Sequence, residues 1–224
     1  MFSRRLLSSV VLTCGAVLVS LSGCNIIVPV SYVLEGPGQI EAEFDLRDVV
    51  TVVFVDDRKS TFPRTSLRAI VGQAITEQIV AEEALGPSKM INARDTLALA
   101  RQLESATSRV SIERIGLEAG AQQIIYVTLE GFALTLDGHT PRPTSICKVK
   151  VLDLSTGTRV YPDARAPTGR EVQTQLREVD TDAFKTFARR RKVEDELAHE
   201  TGIAVAKLFH KHERVNLGEH LGHR

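Results

Sequence analysis

The sequence predicts an α/β fold: a single mixed-sheet sandwich with helices packed on the sheet, a parallel βα start and an antiparallel hairpin later. Three observations predict it. Residues 49–55 are apolar almost throughout, the mark of a strand buried on both faces. An amphipathic helix follows, which implies a right-handed crossover to a parallel neighbour. Residues 145–162 then carry two strand-like runs around a tight turn, an antiparallel hairpin.

The elements read off in order. Residues 25–48, NIIVPVSYVLEGPGQIEAEFDLRD, are extended in character and broken at Gly36-Pro37-Gly38. Ile40, Ala42, Phe44 and Leu46 alternate with polar residues and suit an edge strand. After the strand at 49–55, Thr65 or Ser66 can cap a helix in which Leu67, Ile70, Val71, Ala74, Ile75 and Ile79 recur at helical spacing. Residues 88–93, SKMINA, suit a short strand, and Asp95 can cap a second helix with Leu97, Ala100 and Leu103 on one face. A Ser111 cap opens a third, short helix through Ile112, Ile115 and Leu117, with Gly120 suited to its C′ position. Residues 122–134 are a long strand, and residues 137–144, DGHTPRPT, read as a loop. In the hairpin, Ile146, Cys147 or Val149, and Val151 are core candidates, and Ser155–Thr158 is the turn. Val172, Thr174 and Leu176 mark a further strand. The charged run KTFARRRKVEDE precedes a last helix with Ala198, Thr201, Val205, Leu208 and Phe209 on one stripe.

The N-terminus predicts the compartment. Arg4 and Arg5 precede an uncharged apolar stretch, residues 6–21, and small residues follow: a secretory signal peptide. Leu21-Ser22-Gly23-Cys24 resembles the bacterial lipobox. That resemblance implies cleavage between Gly23 and Cys24 and acylation of Cys24. Several acyl chains make a stable membrane anchor where one is marginal. In enterobacterial lipoproteins an aspartate after the cysteine signals inner-membrane retention. Asn25 stands there, which points to the outer membrane, with the domain facing the periplasm. The expected organisation is residues 1–23 signal peptide, 24–47 acylated tether, 48–212 α/β envelope domain and 213–224 flexible tail.

Composition narrows the function. Without Arg4 and Arg5 the 28 basic residues fall to 26 against 28 acidic ones, and there is no Trp, which argues against nucleic acid as a partner. Of the three cysteines, Cys14 belongs to the signal peptide and Cys24 is the residue the lipobox resemblance acylates, so Cys147 has no intramolecular disulfide partner in the mature chain and reads as a small buried hydrophobe. The sequence lacks GxGxxG, GxxxxGK[ST] and GxSxG, so nucleotide binding and serine hydrolysis lack their minimal parts, and no cofactor is implied.

The order of motifs resembles a group of bacterial envelope domains: the amino-terminal domain of the Tol–Pal translocation protein, the curli-secretion lipoprotein and the lipoprotein activators of penicillin-binding proteins. The likeness spans residues 49–212. It is carried by VFVDDRKS at the end of the first strand, by Ala119-Gly120-Ala121 before the strand 124–131, and by VKVLDLSTGTRVYP, with Asp153, Thr156 and Gly157 in the expected places. The usual proline of the first strand is absent, Gln122 replaces an aspartate, and the curli-type pore-forming insertions are not recognisable. The resemblance implies the fold and the envelope setting, and no particular partner.

Asp56 and Asp57 sit where ligands gather in open α/β sheets, at the carboxyl end of a strand. Metal-dependent hydrolysis would need companion acidic, Ser/Thr and Lys groups. The residues favour a structural loop in which Arg58 and Lys59 neutralise the aspartates, with Asp56, Asp57, Arg58 and Lys59 facing a partner. His199-Glu200 begins like HExxH, but Ile203 occupies the second histidine's position. His210, His212, His220 and His223 read as a solvated tail, so no metal site is expected. Arg189-Arg190-Arg191-Lys192 could meet anionic lipid or glycan, but Glu194-Asp195-Glu196 follows at once and suggests local charge pairing. The expectation is a non-enzymatic envelope lipoprotein that binds another envelope protein. Its rivals are an Asp56/Asp57 hydrolase and an oligomeric secretion component.

Overall fold

The computed structural model describes residues 38–104, 110–135, 138, 140–177, 179 and 181–214. Gly23 and Cys24 lie outside the described residues, as does the tail beyond Arg214. The chain divides into two compact units. In the smaller, β1 (Gln39–Ile40) pairs antiparallel with β8 (His212–Glu213), and the Arg214 amide donates to the Gly38 carbonyl at 2.7 Å. The edge strand expected from Ile40 to Leu46 is thus only two residues long.

The larger unit, Glu41–Lys211, holds a six-stranded mixed sheet and four helices. In chain order these are β2 (Thr51–Asp56), α1 (Leu67–Ala81), β3 (Met90–Ile91), α2 (Ala93–Leu103), α3 (Ile112–Glu118), β4 (Gln123–Thr135), β5 (Pro141–Asp153), β6 (Thr158–Tyr161), β7 (Arg170–Gln175) and α4 (Phe187–Ala206). The sheet order is β3-β2-β4-β5, and β6 and β7 share the outer edge of β5. β2 runs parallel to β3 and β4, while the β4–β5, β5–β6 and β5–β7 pairs are antiparallel. The parallel start and the later hairpin are as the sequence predicts.

Every residue of β2 is buried, because the sheet is covered on both faces there. On one face Val53, Val55, Ile125, Val127, Cys147, Val149 and Val151 pack under α1 and α4. On the other, Val52, Phe54, Ile124 and Tyr126 pack under α2 and α3. The odd and even positions of each strand divide between the two cores, as the two-residue period requires. α1 and α4 approach closely at Gly202, where a Cβ would lie 2.5 Å from the Ala74 Cβ and 2.7 Å from the Val71 carbonyl oxygen. Phe44 and Leu46 also pack against this core, and the Glu43 and Phe44 amides both donate to the Leu208 carbonyl.

Several local expectations change. Ser66 makes no side-chain cap bond to α1. Asn92, not Asp95, caps α2: its side chain accepts the Arg94 amide at 2.8 Å, and Asp95 sits in the first turn. Ser111 does cap α3, accepting the Arg114 amide at 3.2 Å, and Gly120 takes the left-handed backbone expected of it (φ 81°). The segment 137–144 is not all loop, because β5 starts at Pro141. Its prolines are tolerated at the strand's first residue and beside a register irregularity between the Ala133 and Thr135 pairs. Ile146 is half-buried on the face opposite Cys147, Val149 and Val151. The charged run does not precede the last helix but forms its start, capped by Thr186, whose Oγ1 accepts the Arg189 amide at 3.2 Å.

Candidate functional site

β2 delivers Asp56 and Asp57 to its carboxyl end, and the fold uses both carboxylates internally. Asp56 is 5% exposed. Its Oδ2 accepts the Tyr126 hydroxyl at 2.6 Å and faces the Arg58 Nε at 2.7 Å. Tyr126 arrives there because β4 pairs in parallel with β2, placing it beside Phe54, with the two rings stacked at 6.4 Å between centroids. Burial, and then the hydrogen bond to Asp56, push the Tyr126 phenol up to about 12.

Asp57 organises the loop itself. Its Oδ1 accepts the Thr61 amide at 2.7 Å and its Oδ2 the Phe62 amide at 3.0 Å, while its carbonyl accepts the Ser60 amide. Ser60 is held in the left-handed region (φ 52°), which costs a non-glycine residue about 1 kcal/mol and needs such anchoring. Arg68, from the first turn of α1, donates from Nε to the Val55 carbonyl at 2.9 Å and lies 5.6 Å from the centre of the Phe54 ring. Burial holds its guanidinium below the usual arginine range, partly offset by Asp56 and Asp57.

The expected neutralisation is half right. Arg58 pairs with Asp56, but Lys59 reaches across to Glu130, at the bulge of β4. The hydrogen bond from Lys59 draws the Glu130 carboxyl below its ordinary range. What the loop presents to solvent is therefore Arg58, Lys59 and Ser60. The carboxylates face inward. Among the described residues, no group of three or more His, Cys, Asp or Glu side chains is placed to hold a metal ion.

Sequence reasoning missed Tyr126, Arg68 and Glu130. Only the strand register and the α1 approach bring them to Asp56 and Lys59. It also missed Glu43, whose carboxylate accepts the Tyr161 hydroxyl at 2.9 Å and takes Arg170 in a two-point grip at 2.6 and 2.7 Å. Asp153 opens the hairpin turn as expected. It accepts the Ser155 hydroxyl and amide and pairs with Arg47 at 2.9 Å, and these bonds, led by the hydroxyl, hold it below the ordinary carboxylate range. Cys147 is fully buried and its thiol is pushed up to about 12 by burial, so it is a packed hydrophobe and a poor nucleophile.

His210 does not belong to a solvated tail. It is 6% exposed, and its Nδ1 donates to the Lys211 carbonyl at 2.9 Å. It borders an open depression of about 330 Å³ that Glu41, Asp45 and Glu82 also line. A second depression, about 470 Å³, lies between β7 and α4 and is lined by Gln173, Gln175, Arg177, Glu200 and Lys207 among others. No described helix is long and apolar enough to cross a membrane.

No protein-family profile matches the sequence, and no curated protein matches it. Several solved structures are distantly similar to it at low identity. One is the PelC dodecamer from Paraburkholderia phytofirmans, 11% identical over 77% of this chain and 97% of that one, with a TM-score of 0.42. Another is the lipoprotein GNA1162 from Neisseria meningitidis, 12% identical over 68% of this chain and 99% of that one, with a TM-score of 0.41. A third is the C-terminal domain of LpoB from Salmonella enterica, 13% identical over 66% of this chain and 93% of that one, with a TM-score of 0.36.

Proposed function

We propose that this protein is a membrane-anchored envelope lipoprotein acting as a non-enzymatic protein-interaction or assembly module. The observation that carries the setting is the leader that ends in Leu21-Ser22-Gly23-Cys24. Cys24, freed by cleavage after Gly23, holds the acyl chains, and Asn25 directs the protein to the outer membrane, with the domain on the periplasmic side. The chain from Cys24 up to Glu41, where the larger unit begins, connects anchor and domain. Tethering raises the effective concentration of the domain for any partner held in the same envelope.

The non-enzymatic reading is supported by the use made of Asp56 and Asp57. A nucleophile or metal ligand must keep lone pairs for substrate or metal. Here a tyrosine and an arginine engage Asp56 Oδ2, and one backbone amide engages each oxygen of Asp57. The exposed Arg58-Lys59-Ser60 segment, held by those bonds and with its two cations already paired, is a rigid contact for another envelope protein.

Two measurements test this. Intact mass of the membrane fraction is expected to show residues 24–224 with acyl chains, and Cys24→Ala to abolish them; an unprocessed leader on the wild-type chain overturns the lipoprotein reading. Crosslinking of wild-type envelopes is then expected to recover a defined protein whose yield falls in Arg58→Glu with Lys59→Glu. A yield unchanged by those reversals removes the loop from the interface.

A further inference from the structure

The start of α4 carries charge that the fold leaves unspent. The sequence places four cations, Arg189 to Lys192, directly before Glu194, Asp195 and Glu196. In the structure Arg64, from the loop ahead of α1, takes the first two of these acids. Its Nε lies 2.7 Å from Glu194 Oε2 and its Nη2 2.7 Å from Asp195 Oδ1, and it also donates to the Arg191 carbonyl. The hydrogen bonds to Asp195 and Glu194 raise the Arg64 pKa against the pull of burial. Among the described residues, none of the four cations forms an ion pair within 4 Å, and Arg189 alone donates within the fold, from Nη1 to the Asp182 carbonyl at 3.4 Å. Lys185, close by, is paired with Asp182.

The same turn and a half exposes an aromatic ring. All six residues from Phe187 to Lys192 are exposed, and Phe187 is 68% exposed. Arg191 lies over its ring at 5.0 Å. Phe187, Arg190 and Arg191 fall on one side of the helix at i, i+3 and i+4. The arrangement is unfavourable for the isolated fold. Cations crowd the positive end of a 20-residue helix whose first turn holds no acid, and a large apolar side chain stands in water.

We infer that the first turns of α4 form a membrane-contact patch for anionic phospholipid. Arg190 and Arg191, on the side of Phe187, meet headgroup phosphates while Phe187 enters the boundary between headgroups and acyl chains, and Arg189 and Lys192 add to the positive field around them. An aromatic residue among cations is the composition of an interfacial anchor, and guanidinium groups grip phosphate at two points. A soluble phosphate would answer the charge but not the exposed ring. A nucleic acid is disfavoured by the balance of 28 basic and 28 acidic residues. The inference rests on the tethered reading above only for the nearness of a membrane.

The chain has no tryptophan, so Phe187→Trp provides a single reporter. The full chain carrying it is reconstituted into vesicles of phosphatidylcholine, with or without phosphatidylglycerol, containing brominated acyl chains. Leu117→Trp, at a 57% exposed position on α3, is the control. The expected result is blue-shifted, quenched emission from position 187 only when phosphatidylglycerol is present, with the control unquenched. Adding Arg190→Glu and Lys192→Glu should lower the inserted population at least about 25-fold, since each cation near an anionic surface is worth about fivefold. Equal emission in both vesicles, or quenching that the two reversals leave unchanged, overturns the inference. So does a shift produced by inorganic phosphate alone, which marks a free-ion site, or by polyglutamate but not vesicles, which marks an acidic polypeptide. Cys24→Ala in the same reporter chain keeps the two readings apart. Its quenching persists if the patch acts by itself, whatever becomes of acylation.

Discussion

The loop after β2 and the first turns of α4 look alike in sequence and behave oppositely in the fold. Each sets cations beside aspartates or glutamates within a few residues. In the loop both aspartates and both cations are drawn into contacts: Asp56 with Tyr126 and Arg58, Asp57 with two amides, Lys59 with Glu130. At the start of α4 the acids are drawn away by Arg64, and the cations remain facing solvent. Adjacency in sequence therefore does not decide which charges pair. The partner that arrives from another element decides it, and a charge left over is the one available for function.

Arg64 makes the difference between the two regions, so its removal is expected to have the largest effect. Its side chain is 19% exposed and that of Glu194 is 8% exposed. Stripping one partner from a buried pair leaves an uncompensated charge and costs about 3 kcal/mol; Asp195, half-exposed, adds little. Arg64→Ala should lower the urea midpoint accordingly, and adding Glu194→Gln should recover part of the loss. An Arg64→Ala chain as stable as wild type would show that the acids are not held away from the basic run by this residue.

Asp57→Ala comes next. It removes the acceptor for the Thr61 and Phe62 amides and the hold on Ser60, a loss of about 2 kcal/mol for hydrogen bonds to a charged group. Asp57→Asn, which keeps one acceptor oxygen, should lose less. If instead both variants keep full stability while crosslinking to a partner fails, the carboxylate serves binding and the contrast with α4 collapses.

The parts of this contrast that were legible in the sequence are those set by local chemistry. Apolar runs placed the strands, Ser111 and Gly120 bounded α3, and the Asp153 turn announced the hairpin, because the residues responsible lie within a few positions of their effects. Asp95 offers as good a local cap signal as Asn92, so the sequence points to the wrong one of two near neighbours. What could not be read depends on register and packing. Tyr126 lies 70 residues from Asp56, and Arg64 130 residues from Glu194. Glu43 reads from the sequence as part of a tether, since nothing near it foretells Tyr161 and Arg170. The exposed loop residues could be named in advance, but not that their neighbouring carboxylates turn inward.

A smaller effect comes from the tyrosines. Tyr126 is raised to about 12, and Tyr161 is raised as well, by burial and by its bond to Glu43. In both, the folded state keeps a proton that the unfolded state releases near pH 10, so stability is intact below that value and falls as pH rises above it, for Tyr126 between about 10 and about 12. Spectrophotometric titration should find these two of the three tyrosines ionising late. Tyr126→Phe should flatten part of the alkaline loss, and Asp56→Asn should bring the Tyr126 titration down. Ordinary ionisation of Tyr126 near 10 would mean that Asp56 is open to solvent and free to do chemistry after all.

The smallest change is expected at α4, and its sign is the informative part. Arg190 and Lys192 touch no acid, so replacing them forfeits no ion pair. It also relieves repulsion from the positive end of the helix, worth about 0.3–1 kcal/mol for a charge in the first turn, as Arg190 is, and less for Lys192 in the second. Arg190→Gln with Lys192→Gln should therefore leave the urea midpoint unchanged or raise it slightly, while the insertion of a reporter at position 187 is lost. Charge removal in the loop destabilises the fold, whereas charge removal here stabilises it at the expense of a contact outside it. A clear loss of stability in the double variant would mean that these cations are spent within the fold, like those of the loop, and would leave the exposed Phe187 without a surface to meet.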